Sequence, residues 1–96
     1  MIVLLTNYFM IQKKIVKVTK PSIVLVRPQL PENIGMVARA MDNCGLSELL
    51  IVSPRDEWPN SKALNASVNS RKILMKAKIY ENLEDSLKEF NYVIAT

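Results

Sequence analysis

"SIVLVRPQLPENIGMVARAMDNCGLSELLIV", residues 22–52, holds two apolar runs with an amphipathic stretch between them. "SIVLVR" (22–27) is continuously apolar, rich in β-branched residues and bounded by prolines, which predicts a strand buried on both faces. Asn33–Cys44 follows as a helix, with Ile34, Val37 and Met41 forming its apolar stripe and Gly45 its stop. Asn33 is placed to cap that helix by accepting the Met36 N–H. "ELLIV" (48–52) is a second buried strand, ended by Ser53-Pro54.

Outward from this unit the alternation continues. A polar loop, "SPRDEWPNS" (53–61), leads into a helix over about 61–75, and "AKIY" (77–80) reads as a short strand. Asn82 caps a helix in "LEDSLKEF", whose early acids and late Lys88 suit the helix dipole, and "YVIAT" (92–96) is a further strand. Strands alternating with helices predict an α/β fold, a mostly parallel open sheet with flanking helices. In such sheets ligands bind outside the carboxyl ends of the strands, here the loops after Arg27 and Val52 and the position after Thr96. Because the third of these loops would begin where the sequence stops, the chain is expected to be the front half of its fold.

Residues 21–96 are assigned to one domain and residues 1–20 to a basic N-terminal extension expected to be poorly ordered. That extension carries Lys13, Lys14, Lys17 and Lys20 and no acid, whereas the remainder holds nine basic and nine acidic side chains. The net charge of +4 therefore belongs to the extension, and bulk electrostatics favour RNA only weakly. Its apolar part is too short for a membrane span and has the wrong charge order for a secretory signal, so no membrane association is expected. The chain contains no histidine, which excludes Ser-His-Asp and Cys-His catalysis and removes the commonest metal ligand. Cys44 is the sole cysteine, so neither a disulfide nor a thiolate pair for metal is available. It is expected as a small buried hydrophobe in a cytoplasmic protein.

Gly35 and Arg39 lie four residues apart and share one helix face. Glycine in a first helical turn costs about 1 kcal/mol against alanine, tolerable where a backbone or ligand must approach closely. Arg39 would then project toward the strand-end loop, near helix N–H groups that favour anions. A guanidinium there suits a phosphate or a developing oxyanion. The spacing alone fits an ordinary surface arginine equally well.

The run from Ile23 onward resembles the SpoU-type RNA 2′-O-methyltransferases of the SPOUT group, most of all the branch acting on tRNA cytidine and uridine. Asn33, Gly35 and Arg39 match the first family motif, Asn-x-Gly-x-x-x-Arg. Pro31-Glu32, Gly45-Leu46, Ser53-Pro54-Arg55-Asp56, Trp58-Pro59 and Val93-Ile94-Ala95-Thr96 fit around it. The resemblance implies the N-terminal half of a trefoil-knotted α/β fold that transfers methyl from S-adenosylmethionine to a ribose 2′-hydroxyl of tRNA or another structured RNA. It further implies a homodimer with the site at the subunit interface, no metal, and Arg39 and Asn33 as the catalytic residues. Arg27, Glu32, Gly35 and Arg55 are assigned to RNA contact around that site. Because a guanidinium does not deprotonate near neutral pH, Arg39 is read as stabilising the nascent 2′-oxyanion or clamping the adjacent phosphate.

The family motifs that form the knot and hold S-adenosylmethionine fall beyond Thr96, so no cofactor-binding residue is assigned and the chain alone is expected to be inactive. Relatives tend to carry glycine where this chain has Val68, which reads as drift within a packed helix. Arg55-Asp56 reads first as a solvated pair, Trp58 as a cover for the core end or an interface, and Arg71, Lys72, Lys76 and Lys78 as a solvated face with RNA contact secondary. The alternatives to an enzyme are a non-enzymatic α/β RNA-binding module and a nonfunctional remnant lacking the cofactor site.

Overall fold

The structure, a computed structural model, describes residues 20–90 throughout, together with the backbone of strands within 2–17 and 92–95. Strands β1 (Ile2–Thr6), β2 (Tyr8–Ile11) and β3 (Lys14–Lys17) precede β4 (Ser22–Val26), helix α1 (Pro31–Asn43) and β5 (Leu49–Val52). Helix α2 (Ser61–Ser67), a 3₁₀ turn (Val68–Ser70), α3 (Arg71–Met75), β6 (Lys78–Tyr80), α4 (Leu83–Leu87) and β7 (Tyr92–Ala95) complete the order. The expectation of poor order in residues 1–20 falls largely on side chains outside the described residues.

The main sheet has the order β6-β5-β4-β1-β7. Its β4–β5 and β5–β6 pairs are parallel, with Val24 opposite Leu50 and Ile51 opposite Ile79. β1 runs antiparallel to both β4 and β7, and β2–β3 forms a separate antiparallel pair. β4 and β5 are buried on both faces, as their unbroken apolar runs require. On one face Leu25, Leu49 and Ile51 pack with Ile34, Ala38, Met41, Ala63, Ile73 and Leu74 from α1, α2 and α3. On the other, Val24, Val26, Leu50 and Val52 meet Tyr80, Leu83, Leu87 and Phe90 around α4.

Four local expectations are corrected. α1 starts at Pro31, two residues before Asn33, and its N-cap Leu30 makes no side-chain cap. Proline at the first helical position has its φ preset and lacks the N–H that would otherwise be orphaned, so the helix begins there. The sheet-facing stripe centres on Ile34, Ala38 and Met41, with Val37 only half-buried at its edge. The predicted helix over 61–75 is broken at Val68–Ser70. Cys44 is exposed, because it is the helix C-cap and not part of the buried stripe.

Gly45 acts as anticipated. Its φ of +73° closes α1, with Leu46 N–H donating to the Met41 carbonyl at 2.8 Å and Gly45 N–H to that of Asp42 at 3.1 Å. Lys20 Nζ donates to the Gly45 carbonyl at 3.0 Å, fixing the entrance to β4 beside the exit of α1. Among the described residues, no helix is long and apolar enough to cross a membrane.

Candidate functional site

The carboxyl rim of the sheet is built by two residues in the left-handed region, Arg27 (φ 49°) and Ser53 (φ 45°), which end β4 and β5. Arg27 N–H donates to the Val52 carbonyl at 2.7 Å and Ser53 N–H to the Tyr80 carbonyl at 2.8 Å. Each parallel ladder is thus extended by one bond, and the chain then turns sharply out of the sheet. Ser53 Oγ donates to the Glu81 carbonyl at 2.5 Å, and Arg55 N–H to the Pro28 carbonyl at 3.2 Å. The first bond ties the end of β5 to the loop after β6, and the second joins the loop after β4 to the loop after β5. Neither left-handed residue is glycine, so composition offered no signal for this rim.

The joined loops form a narrow cleft, with Pro28, Gln29, Pro31 and Ile34 facing Pro54, Asp56, Glu57 and Trp58. Trp58 is half-buried and packs on the main core, in agreement with its reading as a cover. Arg55 is exposed and its Nε lies 3.3 Å from Asp56 Oδ1, so the neighbouring carboxylate already occupies the guanidinium assigned to RNA. Asn60 caps α2, accepting from Lys62 N–H at 2.9 Å and Ala63 N–H at 3.3 Å. Arg27 and Glu32 are both exposed. Glu32 sits in the first turn of α1, where its charge suits the dipole without any ligand.

Gly35 does not face a ligand. It is buried, and a Cβ built on it would strike the Ala63 carbonyl oxygen, with Ala66 Cβ at 2.7 Å and Ser67 N at 2.8 Å. The missing side chain is what lets α1 and α2 lie against each other. Further along, Ser70 Oγ donates to Asp42 Oδ2 at 2.9 Å, so the two helices run side by side in the same direction. Arg39 lies between these contacts on the same flank, since residues 35, 39 and 42 fall within about 60° around a helix. It is exposed and forms no ion pair among the described residues. Eight residues into α1, its Cα is about 12 Å from the helix start, so the free N–H groups there are not its neighbours. Its side chain leans toward the helix N-terminus, as helical side chains do.

Asn33 occupies the opposite flank. Released from capping, it lines an open groove of about 210 Å³ with Leu25, Val26, Pro28, Gln29, Ile34 and Val37. Six residues separate it from Arg39, about 9 Å along the axis and about 120° around it. The two side chains therefore bracket the exposed crest of α1, where Met36 and Ala40 lie, without meeting. A ligand touching both must lie across that crest. The groove is below the roughly 300 Å³ at which small-molecule sites begin. It is lined by apolar groups with only Gln29 and Asn33 as polar partners, and holds no carboxylate for a ribose hydroxyl. This groove does not fit S-adenosylmethionine. No group of three or more metal-ligating side chains occurs among the described residues.

Val68, where a glycine is expected from the resemblance, has φ +52° and ψ −114° and is 52% exposed. A β-branched residue strains this conformation and glycine does not. The departure is thus a matter of backbone geometry at the α2 exit, and the reading of simple drift in helix packing is corrected.

Residues 20–96 match the SpoU rRNA Methylase family. The tRNA (cytidine-2′-O-)-methyltransferase TrmJ of Methanocaldococcus jannaschii is 37% identical over 75 residues, covering 78% of this chain and 32% of its own length. The tRNA (cytidine/uridine/adenosine-2′-O-)-methyltransferase TrmJ of Pseudomonas aeruginosa is 38% identical over 74 residues, 77% of this chain and 28% of its own. The crystal structure of TrmJ from Z. mobilis ZM4 aligns with a TM-score of 0.65 at 45% identity, over 67% of this chain and 29% of that one. The chain thus spans about 30% of the length of the curated relatives it matches. A match over the whole described α/β unit, with the Asn33-Gly35-Arg39 helix inside it, places this chain in the SpoU rRNA Methylase family.

Proposed function

We propose that this chain supplies the RNA-facing surface of a 2′-O-methyltransferase acting on tRNA or another structured RNA. The observation that carries the reading is Arg39, exposed beside the crest of α1 and unpaired with any carboxylate among the described residues. A permanently charged fork in that position grips a phosphate beside the target ribose, or the oxyanion that develops at its 2′ oxygen. Asn33, across the crest, offers an amide donor and acceptor that orient the nucleotide. S-adenosylmethionine, the donor a methylase family implies, would supply the methyl group. It is held by groups other than the described residues, and a homodimer in the cytoplasm is the form in which the activity is proposed.

Two substitutions test the arginine in a protein that carries this chain and methylates tRNA. Arg39→Ala is expected to lower turnover by about 100-fold or more, the scale of losing one oxyanion donor. Arg39→Lys is expected to recover only part of it, because a point charge cannot replace a bidentate fork. Undiminished turnover in Arg39→Ala overturns the assignment. A second reading, a non-enzymatic RNA-binding module, is favoured by the small size of the Asn33 groove. Turnover in the Arg39 variants separates the two, since a binding module without chemistry has none to lose. For the isolated chain, titration calorimetry with S-adenosylmethionine at micromolar concentration is expected to give no heat, and saturable binding there overturns the placement of the donor outside the described residues.

A further inference from the structure

Two segments of the folded chain, packed on opposite faces of the sheet, carry opposite charge. From Trp58 to Tyr80 there are five cations, Lys62, Arg71, Lys72, Lys76 and Lys78, and no carboxylate. From Glu81 to Glu89, around α4 on the other face, four carboxylates surround Lys88 alone. The carboxylate that meets this segment from α1 is Asp42, whose Oδ2 accepts from Ser70 Oγ at 2.9 Å and forms no ion pair with the cations among the described residues. All five cations are exposed, and no ion pair among the described residues involves any of them. Arg71 Nη2 donates only to the neutral Asn65 Oδ1, at 3.2 Å.

Lys62 and Asn65 of α2 are exposed, as are Asn69 in the 3₁₀ turn and Lys72 and Lys76 beyond it, and the Arg71–Asn65 bond ties the two helices together. Each of these exposed side chains carries hydrogen-bond donors, and three of them carry charge. Donors distributed over two helices and the turn between them are too many for one phosphate and suit a run of them. The segment is anchored by buried Ala63, Ser67, Ser70, Ile73 and Leu74 and by the close Gly35 contact, so the donors stand on a rigid support. Arg39 stands over the seam between α1 and this segment, on the flank that faces the kink at Val68–Ser70. Lys78 lies on the edge strand β6, where a lysine also deters edge-to-edge pairing, and it is left out of the surface.

We infer that the exposed donors of α2 and α3 form a second RNA-binding surface, which tracks the phosphate backbone leading away from the nucleotide at Arg39. The inference rests on the RNA reading proposed above. It adds a sequence-independent grip that positions a long structured RNA over the crest of α1, as backbone contacts do in nucleic-acid complexes.

Filter binding of a tRNA transcript to the 96-residue chain, between about 50 and about 200 mM salt, tests it. The triple variant Lys62→Gln/Lys72→Gln/Lys76→Gln keeps helix propensity and touches only exposed positions. It is expected to lower the slope of log K against log salt by about 2 to 3, at ~0.7–0.9 per phosphate contact, with its thermal transition unchanged. Lys88→Gln, on the acidic face, is expected to leave the slope as it is. A triple variant with the unaltered slope and affinity overturns the surface and leaves the RNA reading standing. So does an equal loss in Lys88→Gln, which would make net charge the only determinant. Failure of the unsubstituted chain to bind tRNA even at the lower salt overturns the RNA reading itself. Binding of phosphatidylserine vesicles in preference to tRNA, lost in the triple variant, assigns the surface to membrane and overturns the inference.

Discussion

The two faces of the sheet present the same kind of surface and are covered in different ways. β4 and β5 send Leu25, Leu49 and Ile51 to one side and Val24, Val26, Leu50 and Val52 to the other, all at most 5% exposed. The first set lies under three helices, two of them, α1 and α2, locked together at Gly35. The second lies under a five-residue helix and the half-buried Tyr80, Leu83, Leu87 and Phe90. The thick layer carries Arg39, Asn33 and the basic surface, and the thin one carries the acidic cluster. Side chains that must be held to a ligand need a support whose own rotamers and backbone are fixed, and only the thick layer offers one.

Breaking the lock should have the largest effect. Gly35→Ala gains about 1 kcal/mol of helix propensity but drives a methyl into the α2 backbone, which cannot rotate away. A net loss of about 3 kcal/mol in chemical denaturation is expected, at the upper end of overpacking costs. A neutral outcome would show that α1 and α2 can part freely, and the contrast between the layers would fail.

Truncation on the two faces sharpens the contrast. Leu74, 1% exposed in the thick layer, should cost about 3 kcal/mol on replacement by alanine. Leu87, half-buried over the thin face, should cost nearer to 1 kcal/mol, because its site is already partly open to water. Equal costs measured by denaturant titration would remove the distinction.

Val68→Gly should act in the opposite direction. Relief of a left-handed β-branched residue is worth about 1–3 kcal/mol, against a cost of up to about 1 kcal/mol for glycine in the unfolded chain. A net gain of about 1 kcal/mol is expected, with the melting temperature rising by about 4–8 °C. A fall would mean that the 3₁₀ turn depends on the valine side chain.

The smallest effect concerns the thin face. Lys88, with Nζ 3.0 Å from Asp85 Oδ1, holds the Asp85 carboxyl below the usual aspartate range, helped by Asn82. A group whose folded value is depressed adds stability above its unfolded value and loses it as pH falls through the folded one. Asp85→Asn should therefore flatten the acid limb of the stability curve slightly and leave neutral pH nearly unchanged. A large change at neutral pH would show that α4 matters more than its length suggests.

Much of the fold was legible because burial writes itself into local pattern. The runs at 23–26 and 49–52 are apolar at every position because both faces of the sheet are covered there, and Gly45 and Asn82 sit where a helix must stop or start. Residues 33–44 read as a helix, whereas the helix starts at Pro31, which begins it without help from Asn33. The family motif points to Asn33, Gly35 and Arg39 as one site, whereas the helix divides them between two flanks. Gly35 serves packing; Arg39 and Asn33 face solvent and groove.

By itself the sequence determined the alternation of strands and helices, the buried pair at the centre of the sheet and the family motif, because each depends on neighbours within a turn or a pleat. Tertiary structure alone decided that Gly35 is occupied by α2, that Val68 sits in a glycine conformation and that β1 lies between β4 and β7. These are contacts between residues far apart in the chain, and no local period carries them.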